Sequence, residues 1–212
     1  MLHNYWGEFA GLALIHFLAV IAPGPDFAVT IRQSVRFGRL AGICTALGIG
    51  AGMSVHIIYT LLGISALMHT TPWLMSAARF AGGAYIIYLG VNFLRSKPTP
   101  LPSLAHDGAA PPAQSRNKAF LMGFMTNATN PKATLFFLAI FTSVVSSATP
   151  TSVQMLYGLW MCSVNAAWFV LVSLLFSSPA VRQRFERKGY WFERVMGVVL
   201  LGFAARLLMV SF

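Results

Sequence analysis

Between Arg39 and Arg79 the chain contains no Asp, Glu, Lys or Arg. A helix crosses the hydrocarbon core of a bilayer in about 20 residues, so this stretch is too long for one crossing. Thr70-Thr71-Pro72 supplies a break, dividing it into spans over about residues 40–67 and 73–94. The same reading gives a first span over about residues 6–31, interrupted by Pro23-Gly24-Pro25, and a fourth over about 119–145, interrupted at Asn130-Pro131-Lys132. After the turn 146–151 a fifth span runs to about residue 176, and a sixth covers about 191–210. Composition agrees: the 212 residues are 57% hydrophobic and 9% charged, where a soluble domain carries about 25% charged residues. The expectation is an all-α integral membrane protein with six transmembrane helices. The N-terminal run has no preceding Lys or Arg, so it reads as a permanent span rather than a signal peptide.

The basic residues give the spans an orientation. Arg32, Arg36 and Arg39 follow the first span; Arg95, Lys97, Arg116 and Lys118 bracket the loop after the third; Arg182, Arg184, Arg187, Lys188 and Arg194 flank the connection between the fifth and sixth. Short loops rich in Lys and Arg stay in the cytoplasm. Both termini are therefore expected outside. The formal charge of +10 reads as this orientation signal and not as a nucleic-acid interface. Residues 96–118 hold Pro98, Pro100, Pro102, Pro111 and Pro112 among small residues, which reads as a cytoplasmic linker. It separates a first half, residues 1–95, from a second, 119–212. Each half has an odd number of spans and opens on a broken one. That is the pattern of two inverted three-helix halves.

The two breaks carry the chemistry. Freed backbone groups in lipid survive only where protein or a wet cavity satisfies them, and an ionised side chain at that depth costs several kcal/mol unless paired or solvated. Asp26 follows Pro23, Gly24 and Pro25, which block the preceding turn and permit a reversal. A half-helix beginning there would aim its positive end into the protein, and Asp26 is expected to cap it at the least. Lys132 lies about thirteen residues from the inner boundary, close to 20 Å of helix and beyond the reach of its stem. It is expected to face the bundle interior, pairing with Asp26 or with a substrate carboxylate. Asn127, Asn130 and Pro131 belong to the same break, the amides serving either the freed backbone or a substrate.

Other polar residues read more plainly. His56 and Asn165 suit interhelical hydrogen bonds, and Arg79 and Arg206 suit snorkelling to the outer surface. Cys44 and Cys162 read as small buried residues. Gly38, Gly42, Gly48 and Gly52 form a small-residue stripe suited to close helix contact, within one chain or across a homodimer. The acids number five (Glu8, Asp26, Asp107, Glu186 and Glu193), and HExxH, GxSxG and spaced Asp clusters are absent, so an enzyme is not expected. No cofactor is expected either, and no thiol, imidazole and carboxylate cluster suggests a resident metal.

On Ala22-Pro23-Gly24-Pro25-Asp26, the basic turn and Gly-rich span after it, and Asn130-Pro131-Lys132, the whole chain resembles the lysine-exporter superfamily, especially its homoserine/threonine-efflux branch. The resemblance implies export of amino acids or related metabolites across the bacterial inner membrane, driven by proton exchange. Substrates across that superfamily range from basic to small neutral and branched-chain amino acids, and some members handle metal ions. The low acid count favours a neutral amino acid. A metal-ion exporter, or a scaffold in which the breaks are only structural, are the alternatives.

Overall fold

The computed structural model describes residues 5–70, 72–98, 114–146 and 148–210. The Pro-rich linker beyond Pro98, with Asp107, lies outside the described residues, as do the side chains of Arg79 and Arg206. The regular elements are all helical: α1 (Trp6–Ile21), α2 (Pro25–Phe37), α3 (Arg39–Thr70), α4 (Pro72–Leu94), α5 (Arg116–Ala128), α6 (Pro131–Ser143), α7 (Thr151–Phe176) and α8 (Pro179–Val210). By length and composition α7 and the Arg39–Gly63 part of α3 can each cross a membrane, and α1 with α2 makes a third such unit bent by 52°. Gly83–Leu94 within α4 and the whole of α6 are apolar but shorter.

Both expected breaks are present. Pro25 and Pro131 open α2 and α6 at the first helical position, where the missing N–H is no loss. The first break corrects the expectation for its glycine. Gly24 is extended, at φ −170° and ψ −169°, a conformation that does not demand glycine. A Cβ there would stand 3.5 Å from the Lys132 ammonium, at ordinary van der Waals contact. Gly38 does need its freedom: it joins α2 to α3 at φ +86°.

The outer surface is apolar and the inner stripes are mixed. On α7, Met155, Leu156, Leu159, Leu171 and Leu175 are exposed, while Met161, Asn165, Phe169, Val172 and Phe176 face inward. Such an apolar exterior suits lipid, not water. α3 packs against α2, α5 and α7, and α4 against α6 and α8. The glycine stripe is taken up inside the chain. Gly48 and Gly52 of α3 face the backbone at Phe120 and Phe124 of α5, Gly123 of α5 faces the Thr45 carbonyl, and Gly42 lies against Ser34 and Ser173.

Helix α8 differs from the expected connection. It starts at Pro179 and runs unbroken through Arg182, Arg184, Arg187 and Lys188. Charge at these positions marks a wet helix face rather than a loop. Phe185 on the same turns packs against Phe27 and Phe176, with ring centroids 5.3 and 5.1 Å apart.

Two apolar clusters fill the interior. One gathers Leu12, Ile15, Met53, Ile86, Phe137, Phe141 and Met161; the other gathers Val20, Phe27, Ile31, Ile49, Phe169 and Phe176. The two helix breaks lie where the clusters meet.

Candidate functional site

The two breaks supply the facing sides of a single cavity. Asp26 stands in the first turn of α2, where the positive end of the helix favours a carboxylate. It does not cap that helix as expected: the capping residue is Gly24, with no side-chain cap bond. The carboxylate turns instead to the other break. Its Oδ2 accepts from Asn127 Nδ2 at 2.9 Å and from Asn130 Nδ2 at 3.3 Å. Its Oδ1 is buried and has no partner among the described residues.

Asn130 does two jobs with one amide. Its Oδ1 caps α6 by accepting from the Lys132 backbone N–H at 3.0 Å, and its Nδ2 reaches Asp26. Asn127 is held from behind, its carbonyl accepting from His56 Nε2 at 2.8 Å while His56 Nδ1 lies 2.8 Å from the Tyr59 hydroxyl. His56, stacked on Phe137, thus makes an interhelical bond between α3 and α5. Its role is to fix the carbonyl of the break.

Lys132 sits in the first turn of α6, where its charge opposes the positive end of its own helix. The side chain crosses to the other break and points at the Ala19 and Ala22 carbonyls, 3.5 Å from each. These belong to the C-terminal end of α1, which leaves its last carbonyls unpaired and carries negative dipole. The ammonium also lies 5.5 Å over the Phe93 ring. Lys132 and Asp26 make no direct ion pair. Tyr85 of α4 donates to the Lys132 carbonyl at 3.1 Å and steadies that turn.

Asp26, Lys132, Gly24, Asn127 and Asn130 all line one cavity of about 50 Å³. A water needs roughly 10–15 Å³ on this measure, so the space holds a few waters or a small polar fragment. Pro23, Pro25 and Pro131 shape the breaks without lining it. Among the described residues no group of three His, Cys, Asp or Glu side chains could hold a metal ion.

Two further polar residues line the cavity. Asn165 of α7 does not make the interhelical bond expected through its amide nitrogen, which is buried without a partner. His16 of α1 is fully buried, and neither ring nitrogen has a partner among the described residues. His16 stands outside the polar residues read from the sequence, which include His56 and Asn165. The usable signal was an imidazole alone in an uncharged apolar run just before a break.

The chain is 29% identical over 210 residues to the threonine efflux protein of Escherichia coli (strain K12), with 94% of this chain and 97% of that one aligned. It is 30% identical over 209 residues to the leucine efflux protein of Enterobacter sp. (strain 638), covering 96% and 94%. The threonine efflux protein of Salmonella typhimurium (strain LT2) is 28% identical over 200 residues, covering 94% and 97%. No solved structure matches the chain. The model of the LysE type translocator family matches residues 17–211, nearly the whole chain and both breaks, and the protein belongs to that family.

Proposed function

We propose that the protein exports small neutral amino acids from the bacterial cytoplasm in exchange for protons, at the cavity between the two broken helices. The observation that carries this reading is the meeting of Asp26 and Lys132, one from each half, with opposite charges that face a shared space and do not neutralise each other directly. That arrangement suits a zwitterion. The 3.5 Å contacts of Lys132 are long for hydrogen bonds, so its ammonium can exchange them for the shorter, charge-assisted bonds of a substrate carboxylate. The free Oδ1 of Asp26 can take a substrate ammonium or a proton, but not both. Competition between them gives antiport: a proton entering from an acidic exterior discharges the substrate, and loss of that proton to the cytoplasm readies the site again. The efflux names of the relatives support the substrate class.

Six spans in two inverted halves are part of the same proposal. The contact of α2 with α7 has a counterpart in that of α6 with α3, and α3–α4 in α7–α8, while α2–α3 and α4–α6 have no counterpart of like extent; the reading rests on the two breaks and on the odd number of spans on either side of the linker. Purified protein in liposomes, offered a panel of labelled amino acids, should show counterflow of small neutral ones. An inward proton gradient should accelerate their exit. If no amino acid in the panel moves, the exporter reading falls.

A further inference from the structure

The relatives leave the substrate side chain open, since threonine and leucine efflux proteins match this chain at 29% and 30% identity. The cavity is more particular. Once Asp26 and Asn127 are given to a substrate ammonium and Lys132 to its carboxylate, two polar groups in the lining are left over. His16 is 0% exposed with both ring nitrogens unpartnered, and Asn165 is 2% exposed with its amide nitrogen unpartnered. Neither side chain holds the fold through a hydrogen bond from these atoms. A buried polar group left unpaired costs about 1–3 kcal/mol, and an apolar residue would pack more cheaply among Met53, Phe136 and Phe169, which share the lining. Trp160, edge-on to the His16 ring at 5.7 Å, and Phe136, at 6.2 Å, border the imidazole without giving it a hydrogen-bond partner.

We propose that His16 and Asn165 form the side-chain subsite of the cavity, and that this subsite selects an amino acid whose short side chain carries a hydroxyl group. The proposal rests on the exporter reading of the same cavity. An uncharged imidazole offers one donor and one acceptor, and the Asn165 amide nitrogen offers donors. A hydroxyl both donates and accepts, so it can satisfy the two residues together. The cavity, at about 50 Å³, is smaller than a whole amino acid and must widen to admit one, which favours a short side chain over a long one. An aliphatic substrate of equal size would leave the imidazole and amide buried and unpaired. Sites built to hydrogen-bond a substrate hydroxyl reject the analogue lacking it far more strongly than apolar pockets reject a size change.

Threonine and valine have the same shape and differ in this one group, so they form the test. In liposomes the unaltered protein should move threonine with a kcat/KM about 100-fold above that for valine. His16→Phe and Asn165→Leu should each cut this ratio at least tenfold, by losing threonine transport and gaining valine transport. The gain on valine shows that the variant is folded. His16→Asn, which keeps a donor and an acceptor, should retain part of the preference for threonine. Equal transport of threonine and valine by the unaltered protein overturns the subsite while leaving the exporter reading intact, as does a ratio unmoved by both apolar substitutions. Failure of every amino acid in the panel to move overturns both.

Discussion

At the scale of single residues, charge and position in the two breaks make separable demands. Asp26→Asn keeps the shape of the side chain and removes its ability to carry a proton. Lys132→Met keeps most of the stem and removes a carboxylate partner. Neither substitution adds a buried charge, so expression and insertion should stay near normal. Asp26→Asn should abolish the acceleration of efflux by an acidic exterior; Lys132→Met should raise the KM for substrate. Unchanged rate and pH response in both would remove the two residues from the transport cycle. Gly24→Ala is a finer probe. Its methyl would stand 3.5 Å from Lys132 Nζ and 3.7 Å from Cδ, with no backbone strain, narrowing the approach to the ammonium. The KM should rise about tenfold, at the low end of what one methylene is worth in a fitted pocket, with folding intact. An unchanged KM would mean substrate does not pass that face of Lys132. The two charges were legible in sequence because each stood beside a proline in an apolar run. Their neighbours were harder to read: the bond from Asn127 to Asp26 joins positions 101 residues apart, and no local spacing reports such a contact.

At the scale of elements, the glycine stripe illustrates what pattern can and cannot say. Small residues four apart announced a close crossing, but not which helix would fill it. The structure gives α5 that place, with Thr45 Oγ1 of α3 also donating to the Ala119 carbonyl across the crossing at 3.1 Å. A Cβ on Gly123 would collide with the Thr45 carbonyl, and one on Gly52 would come within 2.6 Å of the Phe124 carbonyl. Backbone cannot yield as a side-chain tip can, so Gly123→Ala should destabilise the bundle by about 1–3 kcal/mol. It should lower the thermal midpoint in detergent, whereas Gly63→Ala, with nothing within 4 Å, should leave that midpoint unchanged. Equal midpoints for the two variants would show the α3–α5 crossing to be looser than described. Helix α8 shows the opposite failure of pattern. The charge of the run Arg182 to Lys188 suggests a connection, yet Arg, Lys, Gln and Ala are good helix formers. Val181 and Phe185 also give the run an apolar side that packs on the second cluster.

At the scale of the whole molecule, the prediction is sidedness, and contacts far apart in sequence now support what basic residues alone suggested. Ser34 Oγ donates to Ser173 Oγ at 2.9 Å, Ser173 Oγ donates to the Arg39 carbonyl at 3.3 Å, and Arg194 donates twice to the Ser96 carbonyl at 3.1–3.2 Å. Arg32, Arg36 and Lys118 share a second cavity of about 300 Å³. These contacts tie the ends of α2 and α7 and the starts of α3 and α5 into one basic region, and join the end of α4 to Arg194 of α8. Elsewhere the Glu8 carboxylate accepts from the Ser146 N–H at 2.9 Å and from the Thr149 hydroxyl at 2.9–3.0 Å, and Tyr157 donates to the Tyr5 carbonyl. That joins the start of α1 to the turn between α6 and α7, a region without Lys or Arg. Basic loops remain in the cytoplasm, so the first region should face inward and the second outward. The helix bounds also fix where this can be tested: a fusion after Arg36 or Arg187 would cut into α2 or α8. Reporters placed after Gly38, near Ala109 and after Ser178 should read cytoplasm, and those after Thr70 and Thr149 should read the outer side. Opposite signals at Thr70 and Thr149 would overturn the six-span arrangement and the inverted halves with it, since two halves of three spans enter from opposite faces only when these turns lie on the same side; cytoplasmic signals at both would overturn the sidedness instead.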